Sequence, residues 1–390
     1  VIIKHYLHVI FKHYLVSIRQ WTKDKPFWGC CLKILLRGRT KEFQQYVARY
    51  VPAKTIDGID CVTRNLAVST MGTLNPKIII MYLERDSGSG GFCAEWVYWL
   101  NRVSFSDKMG FKHCINWIDS QFYKEEELEN GNIFEYFFEQ PADISVEETL
   151  KSQNVIFDYN SIDYGYYDSF APGRNDDYIF SETDIINFSK IQKKYIRLNE
   201  CLKNEIDLDI INLLKRKKVL AVHARGADAK IPYNNHPIPV TIEDYIDNAR
   251  REMNAIQAEK IFLATDDNNI LKRFVEEFGD KLLYYNDVER SDGVRMSCYG
   301  ESNRFMHHYK LGKEIIRDVY TMAACQGLVC STSYVSYIVR ILKKSMDCDY
   351  EVIYCIKTKL RKKGLNLTDP KAISSVEKIW NQELKDRKKG

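Results

Sequence analysis

The 390-residue chain contains no run of eighteen apolar residues and no C-x-x-C pair. The first absence leaves no segment to be read as a membrane-spanning helix. The second, with an odd count of eleven cysteines that cannot all pair internally, favours a reducing compartment over a disulfide framework. Proline is scarce at nine residues, no repeat or low-complexity stretch is present, and 45% of the residues are hydrophobic. A disordered or fibrous protein is thereby excluded, and the length suffices for two ordinary domains, each with a sizeable core.

A large net charge is also missing, since the formal total is only +4. The charge is unevenly placed: residues 1–50 hold ten Lys/Arg against two Asp/Glu and residues 351–390 hold eleven against five, so the body between them is acidic. Nucleic-acid recognition wants a basic stripe interleaved with aromatics across the folded body, so no nucleic-acid partner is expected. In the opening VIIKHYLHVIFKHYLVSIRQW, Ile3, Leu7, Ile10, Tyr14 and Ile18 recur at helical spacing among basic residues, without a small-residue cleavage site. That pattern fits a helix packed on the protein or one lying on a membrane surface, and the residues leave both open. The expected location is cytoplasmic, with the basic termini offering peripheral contact at the inner face of the cell membrane.

Past that segment the chain alternates strand and helix signals. Residues 78–83 are a short β-rich run, 88–91 are nearly all glycine (Gly88, Gly90, Gly91), 92–107 read as a helix, and Gly110 is a natural C-cap before a strand at 113–118. This βαβ beginning implies a parallel sheet. Residues 120–182, with weak periodicity, read as irregular structure near a cleft, and 184–217 as one or two linking helices. A second alternation runs from 218 to 356, with strands in KVLAVHARG, KIFLATDD, KLLYYND, GLVCSTS and YEVIYCI and helices at 241–255, 268–278, 313–326 and 333–344. Each strand is an apolar run of the buried parallel type. The fold class is therefore α/β, with two Rossmann-like domains facing a cleft. Boundaries are expected at 1–57 (a basic helical segment), 58–190 (a first α/β domain), 191–350 (a second) and 351–390 (the last strand and a basic tail).

Ligands of open parallel sheets bind beyond the carboxyl ends of the strands, where this second half places its polar groups. The first strand ends at His223 and Arg225, whose guanidinium can grip a phosphate with two hydrogen bonds, and Gly226 would let the backbone approach closely. A later strand ends at Ser331, Thr332 and Ser333, at the start of the next helix. Both ends point to a diphosphate. Asp266 and Asp267 also end a strand, one of them suited to cap the following helix. Asp318 is a carboxylate in an otherwise apolar helical stretch, able to accept paired hydrogen bonds from a guanine edge or to be an ordinary surface group.

The stretches VHARGADAK, IFLATDDNNILKRFVEEFGDKLLYYNDV, IIRDVYTMAACQGLVCSTSYVS and, in the first half, GGFCAEW resemble the fucosyltransferase superfamily of core α1,6-, nodulation and protein O-fucosyltransferases, in order and spacing over roughly residues 78–345. The resemblance, nearest in flavour to bacterial members without membrane anchors, implies a GT-B fold. It also implies an inverting, metal-independent transfer with no cofactor beyond a GDP-sugar donor held by the 191–350 domain, and a glycan or lipid-linked glycan acceptor met by the 58–190 domain. It assigns Arg225 to the donor β-phosphate, His223 and Asp318 to the guanine, Ser331, Thr332 and Ser333 to the phosphates, and Asp228, Asp266 and Asp267 to the geometry of the active loop. The family's second adjacent arginine is absent, its place taken by Gly226.

An inverting transfer needs a base for the acceptor hydroxyl and cations for the departing diphosphate. Glu95, expected to face the cleft from the helix after the glycine loop, is the first candidate base and Asp228 the second. A different donor sugar or a silent nucleotide-sugar-binding protein shares this pattern. A nicotinamide-dependent oxidoreductase is the rival from another class, but GSGGFCAEW lacks a clean G-x-G-x-x-G and Asp119 is the nearest acidic residue to a ribose-binding position. A metal-dependent transferase would place a D-x-D at a strand end, whereas residues 207–209 lie in a helical stretch and 347–349 precede the last strand.

Overall fold

The structure is a computed structural model, and it describes residues 52–55, 67–84, 91–118, 120, 122–128, 131–158, 182–226, 238–291 and 304–358. The expected helix at the chain start, the basic tail beyond 358, Gly88, Gly90, Asp119 and Asp228 lie outside the described residues.

Two five-stranded sheets organise the chain. The first contains β1 (Pro52–Thr55), β2 (Ala67–Ser69), β3 (Ile79–Glu84), β4 (Lys112–Trp117) and β5 (Val155–Asp158) in the order β1-β2-β5-β3-β4. Between β3 and β4 runs α1 (Phe92–Met109), which closes at Gly110 with φ 68° and its N–H turned back to the Asp107 and Ser106 carbonyls, as the glycine predicts. The helix is buried nearly all round because Phe92, Trp96 and Trp99 meet Trp117, Phe134 and Phe138 in edge-on ring contacts.

Three expectations for this half need correction. The sheet is mixed: β3 runs parallel to β4 and β5, but β2 pairs antiparallel with both β5 and β1. The strand at 52–55 falls inside the segment read as helical, so the first sheet starts before residue 58. The stretch read as irregular holds β5, a 3-10 turn at Ile133–Tyr136 and a one-turn helix α2 (Val146–Thr149). At four residues, β5 is too short to show a period of its own, and its partner β3 supplies the register.

Two helices, α3 (Glu182–Tyr195) and α4 (Glu200–Leu214), lead to the second sheet, the latter capped by Asn199 accepting from the Leu202 N–H at 2.9 Å. The second half then alternates β6 (Val219–His223), α5 (Ile242–Ala255), β7 (Lys260–Ala264), α6 (Asn268–Phe278), β8 (Leu282–Leu283), α7 (His307–Ala324), β9 (Gly327–Ser331), α8 (Tyr334–Ser345) and β10 (Val352–Ile356). All four pairings are parallel, in the order β10-β9-β6-β7-β8. β8 is shorter than its apolar run suggests because Tyr285 leaves the ladder: its ring packs on Phe262 and its carbonyl accepts from Arg290 Nη2 at 3.0 Å. The edge strand β10 is largely exposed, unlike the buried strand its composition suggests.

One buried cluster joins the two halves, running from α1 and β4 through α3 to α7 and α8. At the N-terminus of α7, the backbone N–H of His308 donates to Glu125 Oε2 at 3.1 Å and the ring Nδ1 donates to the Phe122 carbonyl at 2.8 Å. The next residue, Tyr309, stacks on Phe137 at 5.3 Å, and one turn after His308 a Cβ on Gly312 would sit 2.4 Å from the Phe137 ring, so the helix approaches that closely only with glycine there.

Candidate functional site

Strand order decides where a ligand can enter the second sheet. The chain runs outward from β6 through β7 to β8, then returns on the other side of β6 as β9 and β10. The loops leaving β6 and β9 therefore diverge, opening a crevice beyond their carboxyl ends. His223 ends β6 and Ser331 ends β9, and across the crevice His223 Nδ1 lies 3.4 Å from Ser333 Oγ. The histidine is 7% exposed.

The β6 loop is shaped by its neighbours. The Ala224 N–H donates to the Ala264 carbonyl at 3.0 Å, which carries the sheet one residue beyond the strand. The Gly226 N–H donates to Asp266 Oδ1 at 2.8 Å. Arg225, half-buried, is thus held between two anchored residues at the mouth of the crevice. A Cβ on Gly226 would lie 2.4 Å from Asp267 Cβ and 2.9 Å from Ile270 Cδ1. The glycine therefore fits the loop against the start of α6, a role different from the close phosphate approach expected of it. Asp267 is itself 1% exposed and caps α6, accepting from the Asn269 N–H at 2.7 Å. Of the acidic pair, then, Asp266 holds the arginine loop and Asp267 holds the helix.

The β9 end is equally committed. Ser331 Oγ accepts from the Tyr245 hydroxyl at 2.7 Å, and burial keeps that phenol protonated well above the usual tyrosine range. The same phenol meets the Arg225 backbone, so Tyr245 on α5 ties the β6 and β9 loops together. Ser333 caps α8 in a reciprocal box, its Oγ accepting from the Ser336 N–H at 3.1 Å while Ser336 Oγ accepts from the Ser333 N–H at 3.1 Å. Thr332, between them, is half-buried with its Oγ1 3.9 Å from Cys355 Sγ.

No family model and no curated protein matches the chain. Among solved structures it is similar to NodZ alpha-1,6-fucosyltransferase co-crystallized with GDP, at 16% identity over 69% of this chain and 92% of that one with a TM-score of 0.40. A fucosyltransferase NodZ from Bradyrhizobium is similar at 14% identity over 69% and 93%, TM-score 0.40. POFUT1 in complex with GDP-fucose is similar at 12% identity over 72% and 98%, TM-score 0.45. At such low identities and scores these are likenesses, and the chemistry of the crevice rests on its own residues.

Asp318 lies on α7, 7% exposed, so it is no surface carboxylate. Burial pushes its carboxyl up to about 7 against the opposing pull of the Arg290 and Arg317 guanidinium groups. Arg290 fixes this corner by donating to the Thr265, Val288 and Tyr285 carbonyls at 3.2, 3.1 and 3.0 Å. Arg317 donates to Asp209 at 3.1 Å and Asp287 at 2.6 Å. The corner formed beyond β7 and β8 therefore combines a buried carboxyl with cations that can stabilise its ionised form.

Glu95 is 3% exposed in the first turn of α1, enclosed rather than open to an acceptor. Gly91 stands just before that helix in extended conformation, with φ −74° and ψ 159°. Both D-x-D stretches are neutralised by cations: Asp207 and Asp209 pair with Lys203 and Arg317, Asp347 and Asp349 with Lys193 and Lys344. Sequence reading missed Tyr245 and Arg290. Tyr245 shares the buried face of α5 with Ala249 and Met253, where its pattern is that of a core residue. Arg290 sits in a polar loop that no periodicity distinguishes.

Proposed function

We propose that this chain is an inverting, metal-independent glycosyltransferase that moves fucose from GDP-fucose to a hydroxyl of a glycan or lipid-linked glycan. The observation that carries the reading is the pairing of Arg225 with the His223 and Ser333 contact at the divergence of β6 and β9. In that reading the diphosphate lies over the crevice, with Arg225 on the β-phosphate and the first turn of α8 behind it. The guanine reaches the corner beyond β7 and β8, where Asp318 in its carboxylate form accepts from the N1–H and N2–H groups. The match of motif order to the fucosyltransferase superfamily supports fucose as the sugar.

The acceptor oxygen attacks the anomeric carbon as the bond to the diphosphate breaks through an oxocarbenium-like transition state. Negative charge grows on the leaving β-phosphate, and Arg225 absorbs it. With Glu95 enclosed, Asp228 is the carboxylate assigned to take the acceptor proton. Incubation of the protein with GDP-fucose in EDTA, with an acceptor glycan mixture, tests the reading. Release of GDP with fucosylated product is expected. Turnover of UDP-sugars instead, or transfer only after a divalent cation is added, would overturn it.

A further inference from the structure

Cys330 and Cys355 occupy paired positions of β9 and β10. Partners in a parallel ladder point to the same face of the sheet, and neighbouring strands lie about 4.8 Å apart. A Cα separation of that size is within the span of a disulfide, whereas the Cβ atoms have to draw together slightly, so the bond forms under strain and is readily reduced. Cys355 is exposed on the outermost strand, and Cys330 is fully buried behind it. The neighbouring Cys330, then Thr332 and the Arg340 charge, hold the Cys355 thiol below the usual cysteine range against the opposing effect of partial burial. An exposed, activated thiol thus has a buried resolving thiol in register beside it.

We propose that Cys330 and Cys355 form a reversible disulfide that alters the β9 loop at the donor crevice. The disulfide stands on the strand pairing alone, while its effect on the crevice rests on the donor-site reading above. Cys330 immediately precedes Ser331, and Thr332 touches Cys355, so drawing β10 toward β9 moves the residues that face the diphosphate. The oxidant is a low-molecular-weight disulfide such as oxidised glutathione. The Cys355 thiolate attacks one of its sulfurs, forming a mixed disulfide and releasing one glutathione thiolate. The Cys330 thiol gives its proton to solvent and attacks Cys355 Sγ, expelling the second glutathione. Two protein thiols are oxidised and one glutathione disulfide is reduced to two thiols.

Wild-type protein and Cys355→Ser are incubated with oxidised glutathione, alkylated, digested and mapped by mass spectrometry. A peptide pair linking Cys330 to Cys355 is expected in the wild type, lost on reduction and absent from Cys355→Ser. Cys355 recovered only as the glutathione adduct or as an alkylated free thiol would overturn the pairing. GDP titration of the oxidised and reduced wild type reads the second half of the proposal. Oxidation is expected to weaken GDP binding about tenfold, the size of one charge-assisted hydrogen bond, with no such change in Cys355→Ser. A disulfide that leaves GDP affinity unchanged would overturn the coupling. Reduced protein that fails to bind GDP would instead strike the donor reading and leave the disulfide standing.

Discussion

Arg225 and Asp318 bear most of the proposed chemistry, and each makes a distinct expectation. Replacing Arg225 by Lys keeps the charge and removes the planar fork, so GDP binding should weaken modestly while transfer falls on the order of 100- to 1000-fold. Steady-state kinetics should place the loss in kcat, since charge on the leaving diphosphate grows only as the bond breaks. Asp318 titrates near 7 in the folded chain against an ordinary value of 3.8. The folded state therefore binds more protons than the unfolded state between those values, and this group's contribution to stability declines as pH rises across that window. Denaturant melts should show that slope in the wild type and its loss in Asp318→Asn. Guanine needs the ionised carboxylate, so GDP affinity should rise with pH, with about tenfold separating pH about 6 from a plateau above about 8. Asp318→Asn should remove the preference for GDP over other nucleotides. Arg225 was legible as a cation after an apolar strand. The burial of Asp318 was open in the sequence, because a single carboxylate in an apolar helical stretch can stand on either side of the helix and only the packing of α7 in the fold closes over it.

The second half's alternation of strand and helix could be read closely, because its strands are apolar runs and three of its helices carry their own caps; α7, which has no side-chain cap, begins at His307 rather than at 313, and β8 is cut to two residues. Thr241, Asp267 and Ser333 each accept a hydrogen bond from the first turn they precede. The mixed order of the first sheet was hidden, since antiparallel β1 and β2 are four and three residues long and have no local signal of direction. Gly226 shows how packing can override motif. Its Cβ position is filled by Asp267 and Ile270, so Gly226→Ala should destabilise the protein by about 1–3 kcal/mol. Gly226→Arg, which restores the second arginine of the resembled family, should do worse and should not raise activity. Thermal denaturation and turnover of the two variants check both statements, and a stable, faster Gly226→Arg would contradict this account of the loop.

Helix α7, which carries Asp318, is one of the elements that join the two halves, meeting the first domain through His308, Tyr309 and Gly312. Gly312→Ala would press a methyl into the Phe137 ring, and about 1–3 kcal/mol of stability should be lost, with weaker GDP binding as α7 shifts. Such long-range coupling was not legible in a sequence where Phe137 and Gly312 lie far apart. Nor does any described helix reach the length and apolarity of a membrane span. Ligand binding to the folded chain adds stability by mass action, so GDP at 100 times its Kd should add about 2.7 kcal/mol, read as a raised Tm. Calorimetric titration of GDP and of UDP in EDTA, on wild type and Arg225→Lys, addresses the nucleotide, the metal and the arginine together. The wild type should bind GDP at least about tenfold more tightly than UDP, a difference of about 1.4 kcal/mol, with Arg225→Lys weaker for GDP and similarly selective. Equal affinity for the two nucleotides, no binding of GDP without a divalent cation, or an unchanged Arg225→Lys would contradict the donor site proposed at the β6 and β9 crevice.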